Sequence, residues 1–510
     1  MTFPWLTFLG LVPLVGAAVL CLPVKQIARG VGMVFALLTA VVGIGVAVLY
    51  AGGATLAEKA PWIPAFGAWW AVGLDGMALV MVLLTVLLVP VVLLAEWKVA
   101  GHGRWTPQAF FGLVLALESL SLFVFLAQDV LLFYLFFEAT LIPMYFLIGG
   151  FGGARRSYAA VKFLLFSLAG GLVMLASVVG LYAVTAQAGA PTYLLSELGK
   201  LQLDPQLGRR LMLGFLFAFI VKAPMVPVHT WLPTAAEEST PGTSVLLVGI
   251  LDKIGTFGMI KFCLWLFPEA STWVAPVMVV LALISIIYGA VAAIGSSNLL
   301  RLVAYTSISH FGFMVLGIYT FTSTGISGSI FYMVNHGFST AALFLVIGFL
   351  ISRRGSAVVT DFGGVQKVAP VLTGVFLLAG LSGLALPGMS SFVSEFMVLS
   401  GTWARTPDGV VPGGPVVAAV ATLGTVLAAV YILRMYQRSM TGPVTDAVAR
   451  TFTTDASARE KWVAAPVIAV ILLLGFLPNI ALTVIEPVAQ TTMSHVGVPD
   501  PKAPLGEEAK

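Results

Sequence analysis

The sequence predicts an all-α polytopic membrane protein of about 14 transmembrane helices, with two inverted five-helix repeats and two broken helices. Three observations predict it. Of 510 residues, 59% are hydrophobic and only 9% charged, whereas a soluble domain averages about 25% charged. Apolar stretches of about 20 residues, each long enough to span roughly 30 Å as a helix, follow one another along the chain. Two of these stretches carry prolines beside a charge, and they cross in opposite directions.

In order, the stretches fall near 3–22, 30–51, 74–95, 107–127, 129–149, 157–185, 209–231, 243–267, 272–296, 301–322, 326–351, 370–402, 415–437 and 462–486. "MTFPWLTFLG" lacks the basic region of a cleaved signal and reads as a retained first helix. No separate soluble domain is expected. Helices 1–3 occupy 1–106, the first repeat 107–267 (helices 4–8), the second 268–440 (helices 9–13), and 441–510 hold a loop, the last helix and a short tail.

Orientation follows from the basic residues in loops. Loops after odd-numbered spans carry fifteen, from Lys25 and Arg29 to Arg459 and Lys461. Loops after even-numbered spans carry five (Lys59, Lys200, Arg209, Arg210 and Arg405), and the tail adds Lys502 and Lys510. This bias places both termini outside the cytoplasm, and a bacterial-type inner membrane is the expected setting. The net charge of +4 is thus a topology signal, not a nucleic-acid footprint.

Cys21 and Cys263 both lie within predicted spans and form no C-x-x-C, and no haem-attachment or G-x-G-x-x-G motif occurs. Redox cofactors are therefore not expected on this chain.

Setting aside loop charges leaves Glu118, Glu138, Lys162, Lys222, Asp252, Lys253, Lys261 and Glu395 inside spans. One charge at a helix centre costs on the order of 2.5–3.5 kcal/mol on insertion scales. Lys162, about five residues into its span, either snorkels or faces inward, and Lys261 is expected to snorkel. Asp252 reads as the neutraliser of a neighbour. Glu118 reads as a partner for a polar side chain or as a secondary carboxylate. Glu138, Lys222, Lys253 and Glu395 lie too deep to snorkel: they are a static ion pair or an ion path.

Local context favours the path. Tyr134, Glu138 and Tyr145 give the fifth span a polar stripe. In "FAFIVKAPMVPVHTWLP" Lys222 precedes Pro224 and Pro227, and in "LSGLALPGMSSFVSEFMVLSG" Pro387 precedes Glu395. Each proline frees a carbonyl one turn back, tolerated in lipid only where protein or cavity water satisfies it. Opposed broken helices beside charges are the pattern of inverted-repeat transporters.

Two histidines lie mid-span. "AYTSISHFGF" sets Thr306 one turn before His310, and "FYMVNHGFSTAALF" sets Tyr332 one turn before His336, with Ser339 and Thr340 a turn after. Imidazoles near pKa 6.5 can pass protons at neutral pH; metal binding lacks a set with ligand spacing. A Lys222 whose distance to Glu138 can change has a tunable proton affinity. Lys253, His310, His336 and Glu395 would continue a hydrated axis. The chemistry expected is proton movement.

"FFEATLIPMYFLIG", "FIVKAPMVPVHTWLP", "LVAYTSISHFGF", "VNHGFSTAALF" and "ALPGMSSFVSEFMVL" resemble the antiporter-like membrane subunits of respiratory complex I, NADH:quinone oxidoreductase. The resemblance covers the chain from about residue 60 onward. It implies proton translocation driven by quinone reduction elsewhere, with flavin, iron–sulfur clusters and quinone on partner subunits and none here. It also implies other complex I membrane subunits as partners, the L- and N-type ones especially. Glu138 resembles the fifth-helix carboxylate, Lys222 its broken-helix partner, Lys253 the central lysine, His310 and His336 the axis histidines, and Glu395 the terminal residue by the outward exit. A Glu rather than Lys at that last position resembles the M-type subunits. Only about 24 residues follow Glu486, unlike the long amphipathic helix of the L type.

Two positions depart from the family. After Trp231–Leu232–Pro233 the usual Asp-Ala-His is Thr234, Ala235 and Ala236, which leaves Glu237 and Glu238 as nearby substitutes on the cytoplasmic entry route. Eight residues past the central lysine, the frequent Arg is Lys261. The rival expectation is a sodium/proton antiporter subunit or a membrane-bound hydrogenase subunit, which share the fold. A mere structural spacer would carry apolar residues at 138, 222, 253 and 395, and a stand-alone enzyme lacks any nucleophile or cofactor site.

Overall fold

The computed structural model describes residues 3–405 and 413–501; Lys502 and Lys510 lie outside the described residues. The chain divides into two compact units, Met1–Lys222 with Glu238–Phe267, and Ala223–Glu237 with Pro268–Lys510.

The first unit opens with α1 (Trp5–Val19) and α2 (Ala28–Ala51). A β-hairpin follows, β1 (Ala57–Ile63) antiparallel to β2 (Ala68–Gly73), in the stretch between the second and third expected spans. Pro64 starts its turn and Gly67 closes it at φ +66°, a conformation that favours glycine. Then come α3 (Gly76–Ala95), α4 (Pro107–Leu126), α5 (Val130–Ala139), α6 (Leu141–Phe151) and α7 (Arg156–Gln187). The short α8 (Leu195–Leu198) leads to α9 (Pro205–Lys222). Side-chain caps start α3 and α4: Asp75 accepts from the Ala78 N–H, and Thr106 from that of Ala109. Asp129 caps α5 through Leu131 and Leu132, and its other oxygen takes the Trp69 N–H at 3.0 Å, tying hairpin to helix. Pro143 removes the amide that would bond the Ala139 carbonyl, which is where the fifth span is interrupted.

The chain passes through α10 (Trp231–Glu238) and returns to the first unit in an eighth span of unusual form. Here α11 (Pro241–Leu246), a π-helical turn (Leu247–Leu251), α12 (Lys253–Gly258) and a second π-helical turn (Met259–Leu264) succeed one another. π turns inside membrane helices mark places where the hydrogen-bond ladder has been opened, often at functional sites.

The second unit continues with α13 (Pro268–Gly295), α14 (Leu299–Tyr319), α15 (Ser323–Arg354), α16 (Pro370–Gly383) and α17 (Ser390–Ala404). It ends with α18 (Gly414–Met440), α19 (Asp446–Thr451), α20 (Ala458–Phe476) and α21 (Asn479–Val496). Asn298, Thr322 and Ser457 cap α14, α15 and α20. α14 and α15 are buried on nearly every side, as expected of helices at the centre of a bundle. α13 lies close on α14: a Cβ at Gly289 would press on the Ser309 amide, and one at Gly312 on the Ala282 carbonyl. Such small-residue seams let membrane helices approach closely.

Among the described residues, nine helical stretches are long and apolar enough to cross a membrane by themselves. The expected seventh and twelfth spans are indeed broken. α9 stops at Lys222 before Pro224 and Pro227, and α16 stops short of a loop in which Ala385 (φ +56°) and Gly388 (φ +92°) flank Pro387. The expected fourteenth span also bends: α20 and α21 meet at 66° around Leu477–Pro478.

Candidate functional site

The first unit gathers Glu138, Lys222, Asp252 and Lys253. Lys222 is the last residue of α9 and is buried; its Nζ lies 5.2 Å from the centre of the Phe137 ring and 5.7 Å from that of Phe163. Those faces offer cation–π attraction in place of water. Among the described residues, no hydrogen bond reaches that Nζ, nor Oε1 of the half-buried Glu138. The two charges nevertheless act on one another. Glu138 packs over α7 at Gly171, where any Cβ would overlap its carboxylate. Tyr134 and Tyr145 are half-buried as well.

Lys253 opens α12 and is wholly buried; its Nζ donates to the Val248 carbonyl at 2.9 Å, within the first π turn. Asp252, at the junction between that π turn and α12, is also wholly buried, and neither carboxylate oxygen has a hydrogen-bond donor among the described residues. Glu118 in α4 is likewise buried with both oxygens unsatisfied. Burying a carboxylate without a donor is costly.

The second unit brings His310, His336 and Glu395 together. The imidazoles of α14 and α15 lie with ring centres 5.2 Å apart. His310 Nδ1 is 2.7 Å from the Tyr332 hydroxyl, which donates to Glu395 Oε2 at 2.8 Å. Thr425 of α18 donates to the other oxygen, Oε1. A phenol carries a single hydrogen; with that hydrogen given to Glu395, the one on the His310 side belongs to Nδ1. The chain His310–Tyr332–Glu395–Thr425 is therefore a hydrogen-bonded wire whose polarity can be reversed. Tyr431 of α18, fully buried, lies within the field of Glu395.

Some sequence expectations need correction. Lys261 does not snorkel: it forms an ion pair with Asp75 at 2.5 Å, joining the second π turn to the cap of α3. Glu237 and Glu238 are engaged, not open entry carboxylates. Glu237 pairs with Arg301 at 3.0 Å, and Glu238 takes both the Nε (3.0 Å) and backbone N–H (2.8 Å) of Arg155. Thr306, Ser339 and Thr340 donate to helix carbonyls, not to the imidazoles. Lys162 is half-buried with its Nζ 5.9 Å from the Tyr158 ring centre.

The family model for the membrane region of NADH:quinone oxidoreductase and Mrp antiporters matches residues 127–422. Subunit M of NADH-quinone oxidoreductase from Mycobacterium tuberculosis strain H37Rv is 48% identical over 98% of this chain and 95% of its own length. The chain belongs to the subunit M family of NADH:quinone oxidoreductase. A chain of the structure titled respiratory complex I from Thermus thermophilus with bound NADH superposes with a TM-score of 0.87 at 31% identity, covering 97% of this chain and 100% of that one. A chain of the Mrp complex from Dietzia sp. DQ12-45-1b shares the fold at 21% identity, with a TM-score of 0.84 over 97% of this chain and 100% of that one. For this subunit M family member, sequence reasoning missed Tyr332 as the bridge from His310 to Glu395, and it missed Thr425. The available signal was the hydroxyl itself, fully buried in an apolar helix and so in need of a partner.

Proposed function

We propose that this chain is a proton-translocating membrane subunit of NADH:quinone oxidoreductase, driven by quinone reduction on partner subunits that carry flavin and iron–sulfur clusters. The L- and N-type antiporter-like subunits are the proposed neighbours, and an inner membrane with both termini outside the cytoplasm is the proposed setting. Residues 107–267 and 268–440 are proposed as the two inverted repeats.

The observation that carries this reading is the His310–Tyr332–Glu395 wire. With His310 an imidazolium and Glu395 ionised, Tyr332 gives its hydroxyl hydrogen to Glu395 and takes the Nδ1 hydrogen of His310, which keeps its Nε2 hydrogen and ends neutral. One proton leaves the imidazole, one arrives on the carboxylate, and the phenol ends neutral as it began. Thr425 steadies the carboxylate. In the other unit, Lys222 and Lys253 are the proton-holding groups, and Glu138 sets the proton affinity of Lys222 by its distance. Burial makes each such group sensitive to small movements of its counter-charge, and the groups titrate as a set.

The test is to purify the chain with its native partners in mild detergent and assay flavin, iron, NADH-driven quinone reduction and proton uptake into vesicles. Co-purification with redox centres and NADH-driven pumping is the expected result. A complex without redox centres that exchanges sodium for protons would move the function to the antiporter.

A further inference from the structure

α15 and α17 meet along one seam, whose contacts on α15 fall at 325, 328, 332 and 335, the spacing of a single helix face. At one end the seam is made of glycines: a Cβ at Gly401 would press on the Gly325 amide, and one at Gly328 on the Val398 amide. Next along it stands the bond from Tyr332 to Glu395. Beyond that bond lies Asn335. Its Nδ2 donates to the Ser390 carbonyl at 2.9 Å and to the Ser394 hydroxyl at 3.2 Å, one hydrogen to each. Ser394 gives its own hydrogen to the Ser391 carbonyl at 3.0 Å, so its oxygen can accept.

Asn335, Ser390 and Ser394 are all fully buried. A buried amide costs free energy unless it is hydrogen-bonded, and the Asn335 Oδ1 has no donor among the described residues. Both of its donor bonds go to the first turn of α17. A lone buried asparagine can fix the register of packed helices at a cost in stability. Register matters at this place, because α17 is the second half of the broken twelfth span. It starts just after Ala385 (φ +56°) and Gly388 (φ +92°), and its N-cap, Met389, gives it no side-chain hydrogen bond. A one-residue slip on a helix moves a side chain by about 1.5 Å and turns it by about 100°. A hydrogen bond of 2.8 Å between Tyr332 and Glu395 does not survive that.

We infer that Asn335 is a positioning residue for the wire: it sets the register of α17 against α15 and so holds the Glu395 carboxylate at the Tyr332 hydroxyl. Asn335 takes no proton itself, and both hydrogens of its amide are spent on α17. It acts through Ser394, which adjoins Glu395 in sequence, while Tyr332 stands one turn before it on its own helix. The inference rests on the reading that Glu395 receives protons through Tyr332.

The test uses the intact complex reconstituted in liposomes, with Asn335→Leu, Tyr332→Phe and Glu395→Gln each introduced in the chromosome and assembly followed on native gels. Leucine keeps the branched shape of asparagine and donates nothing. Protons taken up per NADH oxidised are measured, and redox-triggered infrared difference spectra are recorded. The carboxylic-acid carbonyl band that Glu395→Gln removes marks Glu395. In Asn335→Leu that band is expected to move to higher frequency, as in Tyr332→Phe, because the bond from the phenol is lost in both. Pumping is expected to fall to the ratio of Tyr332→Phe. A role in packing alone would leave the band in place. An unmoved band in Asn335→Leu beside a shifted one in Tyr332→Phe overturns the inference alone. If Glu395→Gln removes no band and pumps at the wild-type ratio, the reading beneath falls as well. Should Asn335→Leu fail to assemble, Asn335→Ala is read in the same way.

Discussion

Tyr332 lies between His310 and Glu395, 2.7 Å from the imidazole Nδ1 and 2.8 Å from the carboxylate Oε2, so one phenol joins a base on α14 to an acid on α17. No backbone group takes part in this link. Its removal therefore tests proton conduction with little disturbance of the helices.

Tyr332→Phe deletes the bridge and leaves the ring in place. The carboxylate keeps its Thr425 donor but loses Tyr332, an unsatisfied-acceptor penalty of about 1–3 kcal/mol. The expected outcome is an assembled complex with fewer protons taken up per NADH. An unchanged ratio, measured with a pH-sensitive dye in proteoliposomes, would show that the wire is not conducting.

Glu138 and Gly171 give a second test. A Cβ at Gly171 would overlap the Glu138 carboxylate, so Gly171→Ala must swing that side chain aside. Glu138→Gln is neutral and nearly isosteric, and is expected to abolish coupled pumping while the complex still assembles. Gly171→Ala should then lower pumping by itself and add nothing to Glu138→Gln, since both act on one group. Additive losses would place the effect of Gly171 elsewhere.

These two relationships differ in how far the sequence announced them. Glu138 and Lys222 stood out as charges too deep to snorkel, and the prolines after Lys222 and before Glu395 announced the two breaks. Periodicity could go no further, because it orders residues along one helix and says nothing of the face across from it. Thus Tyr332 looked like a companion of His336, one turn away, whereas the packing of α14 against α15 turns its hydroxyl towards His310. Lys261 looked free to snorkel for the same reason: Asp75, its partner, is 186 residues distant in sequence. The hairpin of Ala57–Gly73 lies between the second and third expected spans, where counting apolar stretches assigns no structure.

The two glutamates after Trp231–Leu232–Pro233 yield a negative prediction. Each is held by an arginine, so neither is poised to collect protons. Glu237→Gln and Glu238→Gln are expected to pump at the wild-type ratio. Arg155 and Arg301 are both substantially exposed, and such pairs are worth about 0–1 kcal/mol. A pumping defect in either variant with normal assembly would return these residues to the entry route.

Arg353 and Glu460 pose a question of stability instead. Their side chains meet in a two-pronged pair at 2.6 and 2.8 Å, both largely buried, and Glu460 also completes the capping box of α20 with Ser457. Arg353 further donates to the carbonyls of Phe349 and Asp455. Arg353→Ala leaves a buried carboxylate without its cation and is expected to cost about 3–5 kcal/mol. Glu460→Gln keeps the cap, because glutamine serves in a capping box, and leaves the guanidinium its carbonyl acceptors. It should cost less, about 1.5–3 kcal/mol for hydrogen bonds to a charged group. Thermal unfolding of the detergent-purified complex is expected to rank Arg353→Ala below Glu460→Gln. The reverse order would mean that the cation, not the carboxylate, is the group that depends on the pair.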